Sequence, residues 1–164
     1  MSAVPLSTLP FTVRVTAEPF DTAQEIARLS GDGDVGAVVS FSGLCRADKS
    51  ETGEGGPLAA LVLEHYPGMA EEQMERLLDE ARGRWPLFGA TIIHRYGRIV
   101  PGEPIVLVVT GSAHRDAAFE AAAFLMDWLK TSAPFWKKEE RAAGGGWVAA
   151  KDSDDTAAAR WDRD

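Results

Sequence analysis

Cysteine, positive charge and long apolar runs are all scarce in this chain of 164 residues. The single cysteine, Cys45, excludes an internal disulfide and a cysteine-rich zinc site. Lys and Arg number 17 against 25 Asp and Glu, a formal net charge of -8, so a basic surface for nucleic acid is lacking. No apolar run could cross a bilayer, and the first residues do not resemble a secretory signal. We expect a cytoplasmic protein with no nucleic-acid or membrane partner.

The apolar content, by contrast, is sufficient for a globular core. Hydrophobic residues make up 45% of the chain, and the length predicts a single domain. Segments with the two-residue period of a strand are interspersed with segments that have the period of a helix. This order favours an α+β fold with helices on one face of a sheet. The predicted strands are 11–15, 36–41, 58–65, 91–96, 104–111 and 147–150, and the predicted helices are 21–29, 70–85, 115–130 and one or two turns within 154–161.

Two segments have the composition of flexible chain. Residues 47–57 hold four charges and three glycines with no apolar period, which predicts a mobile loop. Gly144 to Gly146 predicts a flexible joint inside a flexible C-terminal segment, 141–164.

The most informative segment is 129–138, where lysines flank a proline turn that carries aromatic side chains. Lys130 ends the third long predicted helix, and Phe135 and Trp136 stand directly before Lys137. Aromatic neighbours partly desolvate an ammonium group, which suits proton transfer, nucleophilic attack or anchoring of an anion. The alternative is a favourable positive charge at a helix C terminus, followed by an ordinary surface turn. The segment alone leaves both interpretations open.

Other cations stand where an anion could bind. His114 and Arg115 open the third long helix, where backbone N–H groups and the helix dipole attract anions. Arg46 ends a predicted strand and can form a forked contact with a phosphate. The alternatives are simple capping by Ser112 and ordinary solvated arginines.

The remaining reactive residue types carry weaker signals. Cys45 is expected to be a small buried strand residue. His65 and His94 lie in apolar strands, and we assign neither a catalytic role. The three histidines lack the spacing of metal ligands, so no metal site is predicted.

Five motifs in a fixed order make the chain resemble a known family. They are Phe41-Ser42-Gly43 followed by Arg46, then Leu63 to Met69, His94 to Gly97, Ser112 to Arg115, and Leu129 to Lys137. Together they resemble the large, catalytic subunit of molybdopterin synthase, the MoaE family, over roughly residues 11 to 161.

That resemblance implies an α/β-hammerhead fold with an additional antiparallel β region, and a sulfurtransferase activity. Members of the family convert cyclic pyranopterin monophosphate into molybdopterin, forming its dithiolene during molybdenum cofactor biosynthesis. The sulfur is delivered by a small ubiquitin-like carrier subunit as a C-terminal Gly-Gly thiocarboxylate. Two large subunits form a homodimer, which becomes a heterotetramer with two carriers. The resemblance implies no metal and no other cofactor for this step.

The same resemblance assigns roles to individual residues. The two catalytic lysines fall on Lys130 and Lys137. The residues that would bind substrate are Arg46, His114, Arg115, Phe41, Met126 and Lys151. Two positions depart from the family pattern: Leu44 stands where many members have a basic residue, and Lys151 where relatives often carry arginine. Leu44 would leave the phosphate subsite with one positive charge fewer. Lys151 would replace the bidentate contact of an arginine with the single ammonium group of a lysine.

Two other functions are compatible with the residues alone. One is a Schiff-base lyase that uses Lys130, which borohydride trapping of a carbonyl substrate would favour. The other is a non-catalytic module that only docks a ubiquitin-like protein, which would keep its full function after Lys130→Ala.

The third long helix also predicts a site shared between two subunits. Arg115 and Lys130 are 15 residues apart along the chain, which at about 1.5 Å per residue places them about 22 Å apart. One pterin phosphate cannot contact both ends. A two-fold dimer would bring the helix start of one subunit to the helix end of the other. The competing interpretation is two separate subsites in one chain.

Overall fold

A computed structural model describes residues 10–31, 33–47, 55–142, 144–148 and 157–162 of the chain. Within these residues, its strands and helices are, in chain order, β1 (Phe11–Thr16), α1 (Thr22–Ser30), β2 (Ala37–Leu44), β3 (Leu58–His65), α2 (Met69–Arg84), β4 (Leu87–Arg95), β5 (Gly97–Ile99), β6 (Pro104–Ser112), α3 (Arg115–Thr131), β7 (Phe135–Arg141) and β8 (Gly144–Val148). The predicted α+β class is confirmed. In the part described, no helix is both long and apolar enough to span a bilayer.

The strands form two four-stranded sheets. The first has the order β1-β4-β6-β2, with β1 parallel to β4 and the other pairs antiparallel. The second has the order β5-β3-β7-β8 and is antiparallel throughout. This second sheet is the additional antiparallel region expected from the family resemblance.

Helices cover both faces of the first sheet, which corrects the expectation of helices on one face. Ala90, Ile92, Val106 and Val108 pack against α2 and α3 in the main core. The alternate residues Ile93, Leu107 and Val109 pack against Leu29 of α1 on the opposite face. The reason lies in β4 and β6, whose consecutive apolar residues are buried and therefore require cover on both sides.

The order of the chain fixes where α3 begins and ends over this sheet. α3 starts three residues after β6, and the Thr110 hydroxyl donates to the carbonyl of Ala118 at 2.7 Å. The helix then runs back over β6 and β2, with small buried alanines facing the sheet. Its C terminus, closed by the Ser132 N–H bond to the Trp128 carbonyl at 2.7 Å, therefore lies towards the start of β6.

The glycine-rich run near the C terminus is a strand, which corrects the expectation of a flexible joint. Gly144–Val148 forms β8 and pairs with residues 137–141 of β7, a strand that the sequence analysis did not predict. A Cβ built on Gly145 would lie 1.9 Å from the Glu139 carbonyl oxygen. These glycines thus permit close strand approach, and residues 149–156 of the expected flexible segment lie outside the described residues. Of the predicted mobile loop, residues 48–54 lie outside the described residues.

The tight approach of β8 to β7 predicts different costs for two neighbouring substitutions. Gly145→Ala forces a Cβ against the Glu139 backbone, so it should lower the free energy of unfolding by about 1–3 kcal/mol. Gly146→Ala is the matched control, because a Cβ there meets no atom within 4 Å. Urea unfolding of both variants measures the difference. Equal stability of the two variants would show that the β7–β8 packing described above is wrong.

Candidate functional site

One end of the first sheet collects most of the residues singled out by the sequence. His94 of β4 and Gly43 of β2 both pair with Val106 of β6, so the three form one row across the sheet. His94 alternates with Ala90 and Ile92, and therefore faces α2 and α3. Because the C terminus of α3 lies over this end, the row sits beneath the last turn of that helix.

Lys130 occupies the last turn of α3 and is exposed. A cation is favoured there by the helix dipole. Met126, one turn earlier, is buried in the main core. The Thr131 hydroxyl donates to the Asp127 carbonyl at 3.0 Å, which holds the final turn in helical geometry.

Lys137 is brought to the same end by β7. The Phe135 ring stacks on the His94 ring with centroids 3.7 Å apart and planes 12° from parallel. Lys137 is two residues further along β7, hence on the same face as Phe135, and it is half-buried. Lys138 is on the opposite face and exposed. The stack therefore joins the two sheets at His94, close to both predicted catalytic lysines.

His94 is a buried neutral base close to both lysines. Its Nδ1 lies 2.8 Å from the Arg95 carbonyl oxygen, which can only accept, so Nδ1 carries the proton and donates. The pKa of His94 is lowered from 6.5 to about 4: burial is the main cause, the bond to the Arg95 carbonyl opposes it, and the nearby charges of Lys137 and Lys130 contribute to the lowering. Nε2 is thus left as an acceptor at physiological pH.

Arg95 stabilises the backbone at this end of the first sheet through its hydrogen bonds. Its buried guanidinium donates to a Glu103 carboxylate oxygen at 3.1 Å and to the Pro104 carbonyl at 3.1 Å. The backbone N–H of Val100 and then Arg95 lower the pKa of Glu103. The Glu103 carbonyl accepts from the N–H of Cys45 at 2.9 Å, so this network also positions the chain just before Arg46.

The end of β2 adds Phe41 and Arg46 to the same region. Phe41 shares the face of Gly43 on β2, and a Cβ on Gly43 would lie 2.6 Å from Val106 Cγ1 and 3.5 Å from the Phe41 ring. Arg46 is exposed just beyond the strand. Arg46, Phe41 and Met126 thus lie towards the same end of the sheet as the two lysines.

His114 and Arg115 lie at the opposite end. Both are exposed at the start of α3, and the adjoining Ser112 pairs with Ala37, the first residue of β2. At about 3.3 Å per residue, β2 from Ala37 to Leu44 spans about 23 Å, so one chain does not bring this pair to the lysines. The Ser112 hydroxyl donates to the His114 carbonyl. Lys151 lies outside the described residues.

Sequence reasoning missed His94, Phe135 as its stacking partner, and the Arg95–Glu103 pair. We assign His94 no role from sequence because a histidine in an apolar strand is usually a structural residue. Its proximity to the lysines depends on pairing between β3 and β7, which matches His65 with Phe135 across the sheet. The only local signal was the adjacency of His94 and Arg95 to a turn. Cys45 is buried, as predicted, and its thiol contacts the Ile99 carbonyl.

Two ammonium groups, a guanidinium and a neutral imidazole acceptor suit the chemistry of an anionic substrate. The cations can neutralise phosphate or carboxylate-like groups. A half-buried lysine can also move protons at a reacting centre.

Comparisons with known proteins show which proteins this chain is similar to. The family described as MoaE protein matches residues 15–132. The molybdopterin synthase catalytic subunit of Mesorhizobium japonicum is 62% identical over 98% of this chain and 97% of its own length. The solved MoaE protein of Burkholderia ambifaria superimposes with a TM-score of 0.77 at 42% identity, covering 93% of this chain and 99% of its own. A molybdopterin synthase structure from Staphylococcus aureus matches with a TM-score of 0.75 at 30% identity, covering 82% and 95%.

The buried neutral His94 predicts a specific loss of stability in acid. The unfolded chain binds a proton on this imidazole near pH 6.5, whereas the folded chain does so only near pH 4. The contribution is therefore complete above pH 6.5 and falls towards pH 4, by on the order of 3 kcal/mol at most. His94→Phe keeps a flat ring against Phe135 and should remove this component. Urea unfolding between pH 8 and pH 4 measures it.

The difference in stability between the wild type and His94→Phe at pH 8 serves as the control. At that pH His94 is neutral in the folded and the unfolded chain, so the difference reports only the substitution itself, including the lost bond to the Arg95 carbonyl. If the wild type and His94→Phe differ by the same free energy at every pH, His94 is not held neutral by its surroundings.

Proposed function

The chain belongs to the MoaE family, and we propose that it is the catalytic subunit of a molybdopterin synthase. In this reaction, sulfur passes from the C-terminal thiocarboxylate of a small carrier subunit to cyclic pyranopterin monophosphate, and the dithiolene of molybdopterin forms. The observation that carries the proposal is that Lys130 and Lys137 both lie near enough to the buried ring of His94 for their charges to lower its pKa. A fold-level likeness alone would not require this arrangement.

The proposed roles follow from charge. The substrate is a phosphate ester and the sulfur donor is an anion, so each needs a cation. Arg46 is suited to the phosphate because its guanidinium can form two parallel bonds. Lys130 and Lys137 would neutralise charge at the reacting carbon and move protons as sulfur adds and the cyclic phosphate opens.

His94 has a supporting role in this proposal. If it were protonated, the ring would place a further positive charge near Lys130 and Lys137 and would repel them. The neutral ring adds no repulsion between itself and the lysines and leaves Nε2 able to accept a hydrogen bond.

The proposed assembly is a homodimer that binds two carriers, as the family resemblance implies. The separation of His114 and Arg115 from the lysines supports it, because a second subunit could supply the missing pair. We propose that these two residues bind the substrate phosphate or pterin of the neighbouring subunit. Lys151 would contribute a further cation.

The lysine assignments predict a sharp loss of activity. Purified chain, thiocarboxylated carrier and cyclic pyranopterin monophosphate are mixed, and molybdopterin is measured. Lys130→Ala and Lys137→Ala should each lower the rate by at least about 100-fold, the usual contribution of a proton-transferring group. Lys138→Ala is the matched control and should keep near-normal activity, because that side chain is on the opposite, exposed face of β7.

Equal rates for the wild type and Lys130→Ala would overturn the catalytic assignment and favour a module that only docks the carrier. Covalent trapping of a carbonyl substrate on Lys130 by borohydride would instead favour the Schiff-base lyase.

A shared site predicts complementation between two inactive variants. Arg115→Ala and Lys130→Ala chains are each expected to be inactive, because every site in either homodimer lacks one group. After subunit exchange, half of the dimers are mixed and each holds one intact site, so the activity should recover to about a quarter of the wild type. Mass spectrometry checks that mixed dimers form. Mixed dimers without recovered activity would rule out a shared site.

A further inference from the structure

The Asp127 carboxylate stands three residues before Lys130 on α3, a spacing at which an acid and a base usually pair. Residues three apart on a helix are neighbours on its surface, and opposite charges there attract each other. Asp79 and Arg82 of α2 pair at this spacing, with their charged atoms 3.9 Å apart. Lys130 differs, because it forms no ion pair with any of the described residues.

Two side chains near the C terminus bind the Asp127 carboxylate instead. Arg160 Nη2 and the indole Nε1 of Trp161 both donate to Asp127 Oδ2 at 2.5 Å. The Asp127 side chain is only 16% exposed, so these bonds are partly shielded from water. A guanidinium and a neutral N–H on the same oxygen compensate the charge of this carboxylate and occupy its acceptor sites.

The indole of Trp161 is held in this orientation by α2 and by the middle of α3. Its ring packs edge-on against the rings of Trp85 and Phe124, with centroids 5.7 Å away in both cases. Its carbonyl accepts a hydrogen bond from Arg84 at 2.9 Å. Phe124 and Asp127 are three residues apart and share one side of α3. A ring seated on Phe124 therefore has its N–H within reach of Asp127.

We infer that Arg160 and Trp161 are positioning residues, which keep the Asp127 carboxylate from pairing with Lys130. Because that carboxylate is already bound, the Lys130 ammonium remains available to an anion that reaches the end of α3. The consequence for catalysis rests on the function proposed above, since it assumes that Lys130 acts on the substrate. The competition for Asp127 does not depend on that function.

A purely stabilising role for these bonds makes the opposite prediction. If the bonds only hold α3 and the C-terminal residues together, removing Asp127 should be as harmful as removing its two partners, because the same bonds are lost. If Arg160 and Trp161 instead restrain Asp127, removing Asp127 should be harmless to the reaction. It should also cancel the effect of removing the partners.

Rates of molybdopterin formation from thiocarboxylated carrier and precursor separate these explanations. Arg160→Ala combined with Trp161→Phe leaves the carboxylate unbound while keeping an aromatic ring. The rate should fall about two- to fivefold, the change in population that an ordinary helix ion pair produces. Asp127→Ala should keep the wild-type rate, and adding it to the double variant should restore that rate. Urea unfolding confirms that each variant is folded in the assay.

Arg82→Ala is the matched control for the loss of an arginine. The Arg82 side chain is 52% exposed and that of Arg160 is 53% exposed, each is in an ion pair, and each substitution removes one positive charge. Arg82→Ala should keep the wild-type rate.

A carbodiimide detects the pairing without any activity. This reagent joins a carboxylate to an amine as an amide, with loss of one water, when the two groups are in contact. The variant with both Arg160→Ala and Trp161→Phe should form an amide between Asp127 and Lys130, and the wild type should not. After trypsin digestion, the product is a peptide one water lighter and uncleaved at Lys130.

Each result decides between the explanations. The amide in the wild type, or its absence from the double variant, would overturn the inference. An equal loss of rate in folded Asp127→Ala and in the double variant would also overturn it. The expected amides, together with a wild type that makes no molybdopterin, would retain the competition for Asp127 and reject the proposed function.

Discussion

The stack of Phe135 on His94 is the contact on which the site depends. His94 belongs to the first sheet and Phe135 to the second, so their rings, 3.7 Å apart, set the position of one sheet against the other. β7 continues from Phe135 to Lys137 with fixed alternation, and α3 ends just before this strand. A shift of one residue in β7 would turn Lys137 to the opposite face and put Lys138 in its place.

The electrostatics of the site follow from that packing. Burial keeps His94 neutral, and neutrality is what allows two lysines to approach it without a third positive charge. Arg95, the next residue of β4, forms an ion pair with Glu103 and a hydrogen bond to a backbone carbonyl. It therefore stabilises the strand end without adding an unpaired cation to the site. The chain carries a net charge of -8, yet it concentrates cations at this one place, as binding of an anionic substrate requires.

Local patterns in the sequence were sufficient for much of the fold. The buried strands, the long helices and the end of α3 at the proline turn were predicted from alternation, helical period and chain-breaking residues. Lys130 was placed at a helix end and Cys45 in a buried position for the same local reasons. The separation of Arg115 from Lys130 also followed from helix geometry alone.

What the sequence did not reveal depends on contacts between distant segments. β7 carries five consecutive charged residues, 137–141, which show no strand alternation, so it is identified as a strand only by its pairing with β3. β8 begins with three glycines, which suggest flexibility unless the close approach to the Glu139 backbone is known. His94 gained significance only through Phe135, 41 residues later in the sequence. The role of the site residues rested on the family resemblance.

The most direct measurement of the central claim is the titration of His94 by ¹⁵N NMR in the wild type, Lys137→Met and Lys138→Met. The account predicts a neutral ring protonated at Nδ1 with a pKa of about 4 in the wild type. Loss of the Lys137 charge should raise the pKa of His94, and loss of the Lys138 charge should leave it unchanged. A pKa of His94 near 6.5, or equal responses to both substitutions, would contradict the arrangement of the two sheets from which the site is built.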